Sequence, residues 1–142
     1  QVDPHGNVNS TEVPGVMRLV GSGGAADVAN GARELVVVLP ASSMRLVPEV
    51  GYVTAPGERV RAVVTNCGVL EKNDEGELIL TRVLRKPDQT LEDAVAVNRH
   101  RCGWPLQVAE PLVEVPEPTA EQLALLRRFD PRRAFIGKPG GE

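Results

Sequence analysis

The sequence is poor in the features that most readily give away a function. Its 142 residues include four aromatics, Tyr52, Trp104, Phe129 and Phe135, too few for a surface that stacks nucleic-acid bases. It has no basic excess either: 16 Lys and Arg face 19 Asp and Glu, a formal charge of −3, whereas polyanions are held by clustered cations. Arg127, Arg128, Arg132 and Arg133 form the one such cluster and read as a solvated helix end. No nucleic-acid partner is expected. No apolar run approaches the ~20 residues that cross a bilayer, and no signal-peptide pattern opens the chain. A soluble, cytoplasmic protein with no membrane partner is the expectation. Cys67 and Cys102 stand apart, without CxxC or Cys/His ligand spacing, so neither a disulfide framework nor a metal site is indicated. Buried structural thiols are expected instead. The chain opens Gln1-Val2-Asp3 without a methionine, which raises the expectation that a segment upstream is missing.

What is present is one domain's worth of aliphatic sequence. Hydrophobic residues make up 42%, mostly Val, Leu and Ala, and a chain of this length buries roughly two thirds of its unfolded surface around one core. Residues 2–11, VDPHGNVNST, supply fixed φ at Pro, positive φ at Gly and side-chain bonds at Asn and Ser, the chemistry of a dense loop. Residues 16–20 can form a strand into the glycines that follow, and 27–34 read as a short helix with Ala29 and Ala32 near a sheet. Residues 35–39 are five consecutive apolar positions, the pattern of a strand covered on both faces as in a parallel sheet. Residues 60–65 repeat that signal more weakly, and 77–83 alternate as a strand paired across the turn 73–76. Thr90 with Asp93 and Thr119 with Gln122 each form a capping box ahead of a helix. Residues 106–109 fit a last strand, and 110–118, with three prolines, an extended arm. The order points to a single α/β domain over 1–142. Its sheet-rich part is 1–109, and 110–142 carry the arm and a terminal helix.

The most informative stretch is 18–40, RLVGSGGAADVANGARELVVVLP. Gly21-Ser22-Gly23-Gly24-Ala25-Ala26 satisfies G-x-G-x-x-A, the fingerprint of dinucleotide binding, but that site also needs an acid ~20 residues on. The next apolar strand ends at Leu39-Pro40 and the first acid beyond it is Glu49, so nicotinamide and flavin binding are disfavoured. A P-loop is absent, because no Gly-Lys-Ser/Thr follows. Adjacent glycines before a helix leave backbone N–H groups pointing one way, which can hold an oxyanion. They also let a helix and a strand pack closely, and the glycines alone leave both readings open.

Taken together, QVDPHGNVNST, GSGGAADVANGARELVVVLP and VVTNCGVLE resemble the B (β) subunit of class I coenzyme A transferases of the glutaconate CoA-transferase-like group, C-terminal portion only. Asp3, Gly6, Asn7 and Asn9 match the family's D-x-x-G-N-x-N stretch. Gly21, Gly23 and Gly24 match its G-x-G-G loop, and Val64, Thr65, Gly68, Val69 and Leu70 its V-T-x-x-G-V-[FL] strand. The resemblance extends over nearly the whole chain, with TLEDAVAVNRHRCGWPLQVAE and PTAEQLALLRRFDP similar to the family's closing elements. It implies an open, largely parallel α/β sheet of the CoA-transferase/NagB-like kind, incomplete in this chain. Asn66, where many relatives carry an acid, and NRHRCGW, in place of a Thr-Gly-Phe-like ending, depart from the family.

The resemblance implies transfer of CoA between carboxylic acids. A glutamate attacks the acyl-CoA, an acyl anhydride forms, and CoA is then held as a glutamyl thioester. Gly24 is thereby implied as the backbone N–H donor to the oxyanion, with Gly21, Ser22, Gly23 and Ala25 shaping the loop. Asn7 and Asn9 are placed near the acyl and pantetheine pocket, although turn stabilisation by Asx bonds accounts for both as well. The nucleophile belongs to a segment upstream of the Asp3 stretch. Glu12, Glu34 and Glu49 read as solvated surface. No permanently bound cofactor is implied, since CoA thioester and carboxylic acid are substrates, and no metal. The partners implied are an A subunit, in a hetero-oligomer, and the N-terminal part of the B subunit. A CoA-thioester hydrolase or decarboxylase on the same fold, or a non-catalytic assembly module, are the alternatives.

Overall fold

A computed structural model describes residues 1–134. The final positions of the expected terminal segment, 135–142 with Phe135, lie outside the described residues. The order of elements is β1 (Glu12–Val13), β2 (Met17–Arg18), α1 (Ala25–Gly31), β3 (Leu35–Val38), a 3-10 turn (Gly57–Arg59), β4 (Val60–Val64), β5 (Gly68–Lys72), β6 (Leu78–Val83), α2 (Leu91–His100), β7 (Val108–Glu114) and α3 (Ala120–Phe129). β1 and β2 form a small antiparallel hairpin, and the other five strands form one sheet in the order β3-β4-β5-β6-β7. This is the open α/β sheet expected, though its pairings divide evenly. β3/β4 and β6/β7 are parallel, while β4/β5 and β5/β6 are antiparallel. Connection length is the reason: turns of a few residues at 65–68 and 73–77 can join only antiparallel neighbours, and parallel ones need a crossover such as α2.

Several expected elements shift. The strand expected at 16–20 shrinks to Met17–Arg18, and the helix at 27–34 runs Ala25–Gly31. β7 continues through Pro111 to Glu114, so the arm shortens to 115–118. Proline is tolerated there because β7 is an edge strand and needs no outward N–H. Both capping boxes form as read, at Thr90/Asp93 and Thr119/Gln122. α3 nevertheless buries none of its residues, and Phe129 stands exposed.

The core is aliphatic. Val60, Val63, Leu70, Leu78 and Leu80 from the central strands pack with Val2, Leu46, Leu106 and the two thiols, Cys67 and Cys102. β3 is the other edge, and alternate residues of it are bare: Val36 is 53% and Val38 76% exposed. The five-residue apolar run therefore has one face covered rather than two. Among the described residues no helix is long and apolar enough to cross a membrane.

Candidate functional site

The glycine loop is anchored at Gly21 and open at its tip, Gly23 and Gly24. Gly21 and Gly23 hold φ of +97° and +48°, conformations that only glycine adopts without cost. Gly21 is pinned to Ser10, whose carbonyl accepts its N–H at 2.9 Å and whose hydroxyl donates to its carbonyl at 3.0 Å. The Ala25 N–H donates to the Ser22 carbonyl at 2.9 Å, and the Gly24 carbonyl accepts the Val28 N–H at 2.9 Å, which starts α1. The N–H groups of Gly23 and Gly24 donate to nothing among the described residues. No heavy atom lies within 4 Å of where a Cβ would stand on either. Ser22 is exposed beside them, and Ala25 is half-buried at the start of the helix. The close-packing alternative therefore has no contact to explain at Gly23 or Gly24.

Two hollows flank the loop. A cleft of about 980 Å³ is lined by Val16, Val20, Leu39 and Met44, with Arg18 and Arg45 as its charged members. A smaller one, of about 350 Å³, has Gly21 itself in its wall with Thr11, Arg18 and Tyr52. Apolar lining with a few charged groups is the usual make-up of a site for an organic ligand.

The asparagine loop is organised by its own bonds. The Asp3 carboxylate is buried and accepts the N–H groups of His5 and Asn7, each at 3.0 Å, and the Asn7 side-chain amide at 2.9 Å. The Asn7 side-chain oxygen in turn accepts the Gly57 N–H at 2.9 Å. Asn9 is 1% exposed; its amide donates to the Glu12 carbonyl at 2.6 Å and to Gln1, while its oxygen accepts the Thr11 N–H at 3.0 Å. Asn7 and Asn9 thus hold a turn whose far end, at Ser10, anchors the glycine loop. The third sequence motif also builds a turn. The Thr65 hydroxyl accepts the N–H groups of Cys67 and Gly68 at 3.1 and 3.0 Å, and a Cβ on Gly68 would lie 2.7 Å from the Arg82 carbonyl oxygen. Burial pushes the Cys102 thiol up to about 11, against a smaller opposite effect of the Trp104 backbone. No spacing in the sequence points to a further cavity, formed where the turn 65–68 meets the start of the β6–α2 connection and α2.

No protein-family model matches the chain. Among curated proteins it is 29% identical, over 163 aligned positions, to the B chain of the 3-oxoadipate CoA-transferase of Pseudomonas knackmussii, covering all of this chain and 60% of that protein. It is 30% identical over 160 positions to the B chain of the glutaconate CoA-transferase of Acidaminococcus fermentans, covering 98% of this chain and 58% of that one. The crystal structure of the Acidaminococcus glutaconate CoA-transferase superposes with a TM-score of 0.80 at 27% identity, over 98% of this chain and 59% of its own. The chain is CoA-transferase B-subunit-like. This B-subunit-like chain spans about 60% of the length of the curated relatives it matches. The decarboxylase AibA/AibB also shares the fold, with a TM-score of 0.78 at 28% identity over 94% of this chain and 55% of the other.

Proposed function

We propose that the chain is the C-terminal part of the B subunit of a class I CoA-transferase, working with an A subunit in a hetero-oligomer and with the remaining part of a B subunit. The observation that carries this is the whole-length similarity to the B chains of two CoA-transferases, joined to two unpaired amides on the loop that matches the family's glycine motif. In this reading a glutamate outside the chain attacks an acyl-CoA carbonyl and expels CoA thiolate, leaving an acyl-glutamyl anhydride. The thiolate then attacks the glutamyl carbonyl, releases the first acid and leaves CoA as a glutamyl thioester. A second carboxylate takes the CoA by the reverse of these steps. Each attack places negative charge on a carbonyl oxygen, and the Gly24 N–H, assisted by Gly23, meets it without reorganisation. The apolar cleft beside the loop suits an acyl or pantetheine chain, with Asn7 and Asn9 behind it as supports of the loop. Two free thiols in the core suit a reducing, cytoplasmic setting.

The surface supports an assembled state. The chain exposes 9806 Å², whereas a compact monomer of 15.2 kDa exposes about 7,100 Å². The eight undescribed residues can supply at most about 1,200 Å² of the difference. What remains is of the order of one side of an obligate interface, about 1,000–2,500 Å². The bare valines of β3, with Val16, Val20 and Val28, supply apolar area for it.

The test is Gly24→Pro in the assembled enzyme, which deletes the N–H at a φ of −89°, about 10° beyond proline's ordinary range. Turnover is expected to fall by roughly 10²-fold with assembly intact; unchanged turnover removes Gly24 from the mechanism. A second reading, decarboxylation of a CoA thioester, is favoured by the likeness to AibA/AibB. It is distinguished by release of carbon dioxide without any dependence on an acceptor acid.

A further inference from the structure

The turn 65–68, the segment that follows β6 and the flank of α2 line an open cleft of about 430 Å³. It shares no lining residue with the two hollows beside the glycine loop. It lies at the carboxyl ends of β4 and β6, each parallel to a neighbour, and that end of an open α/β sheet is where ligands are held. Its lining contains no Asp or Glu, but three cations, Arg85, Lys86 and Arg101. Arg85 is matched by Glu114, at 2.9 Å. Lys86 and Arg101 have no carboxylate partner among the described residues; the Arg101 guanidinium instead donates to the Cys67 sulfur at 3.5 Å.

The neutral side chains point the same way. The Asn66 oxygen is taken by the Ala41 N–H at 2.9 Å, and the Gln89 oxygen by the Lys86 N–H at 3.2 Å. Each amide is thereby oriented with its NH₂ left over as a donor. The cavity is furnished with two unmatched cations and two spare amide donors, and no anion in its wall answers them. We propose that it binds an oxyanion group, a carboxylate or a phosphate, between Arg101 and Lys86, with the Asn66 and Gln89 amides completing the contacts and the Cys67 thiol at its floor. The proposal stands whether or not the chain takes part in acyl transfer.

Cys67, 8% exposed and lining the cleft, provides the readout, and a Cys67 that neither reagent alkylates in the folded chain overturns the proposal. Iodoacetate and iodoacetamide alkylate a thiolate by the same step, formation of the S–C bond with loss of iodide, but only iodoacetate carries a carboxylate. The ratio of the two rates at Cys67 is measured on the folded full chain by peptide mass spectrometry and referred to the ratio for mercaptoethanol in the same buffer. A cationic cleft should raise that ratio roughly tenfold. Arg101→Gln should lower it most of the way towards the mercaptoethanol value. Lys86→Gln, at an exposed side chain with no bond of its own, should lower it in a protein whose fold is not in question. Inorganic phosphate and acetate, added separately, should protect Cys67 saturably, and the stronger protector identifies the source of the group. A ratio no higher than that of mercaptoethanol, a ratio unchanged in both variants, or the lack of saturable protection by either anion overturns the proposal. So does a Cys67 that reacts only in step with Cys102, whose raised pKa makes it the slow internal reference.

Discussion

Replacing Asp3 by Ala should do more damage than any surface substitution, and the hydrogen bonds fix how much. Its carboxylate is 3% exposed and accepts three bonds, from the His5 and Asn7 N–H groups through one oxygen and from the Asn7 amide through the other. Bonds to an ionised acceptor contribute about 1.5–3 kcal/mol each. The donors are only part-buried and water can reach them once the carboxylate is gone, so the low end applies. Asp3→Ala is then expected to cost about 4 kcal/mol, or a fall in Tm of about 12 °C for a domain of this size. Asp3→Asn separates the bonds from one another. Its remaining oxygen can still accept both backbone N–H groups, while its NH₂ faces the Asn7 amide donor, so about 1.5 kcal/mol is lost. Urea unfolding of the two variants, followed by far-ultraviolet circular dichroism, gives both numbers. If Asn were as damaging as Ala, or Ala cost less than about 1 kcal/mol, the loop would not be held by these three bonds.

Gly57→Ala should cost about 2–4 kcal/mol in the same assay, because the new Cβ would lie 2.6 Å from the Asn7 nitrogen. Backbone is on both sides of that contact, and the Lys72 ammonium holds the Gly57 carbonyl in place at 2.7 Å; a variant of native stability would mean that the N-terminal loop does not dock there. Asn98 ties α2 to the strand turn by donating to the carbonyls of Cys67 and Ala94 at 3.0 and 2.9 Å. Asn98→Ala should therefore cost about 2 kcal/mol. Asn98→Asp should cost more, since a buried carboxylate would face two acceptors, and its penalty should shrink as pH falls and the acid is protonated. Equal losses for the two variants at neutral pH, read from thermal melts, would contradict that geometry.

How far the sequence could be read depended on the range of the interaction concerned. The capping boxes at Thr90 and Thr119 are decided within four residues and formed as read. Glycines that need positive φ are local too, which is why 21–24 announced a special loop. The apolar run 35–39 misled because its period says nothing about what covers it, and nothing in the described chain lies over Val36 and Val38. β5 takes its place from hairpin partners on both sides, and the far half of β7 depends on β6, which lies beyond α2 in the sequence. β5 is held by two antiparallel partners, and β7 tolerates Pro111 only as an edge. At the candidate site, the motif residues Asn7, Asn9, Thr65 and Gly68 are engaged in building turns. The cavity near Cys67 draws on three segments with no common spacing. Its furnishing of donors becomes visible only once the Asn66 and Gln89 oxygens are seen to be occupied.

The bare edge at β3 also governs how the protein behaves in a tube. Among the described residues its outward N–H and C=O groups have no strand beside them, and two of its valines face solvent. An apolar, unpaired edge is a template for another chain's edge. Purified without a partner, the protein should self-associate increasingly with concentration, and a charge placed at Val38 should keep it dispersed. In the proposed assembly, whatever covers this edge would compete for it with a second copy of the chain, so the assembled protein should stay dispersed at concentrations where the isolated chain associates.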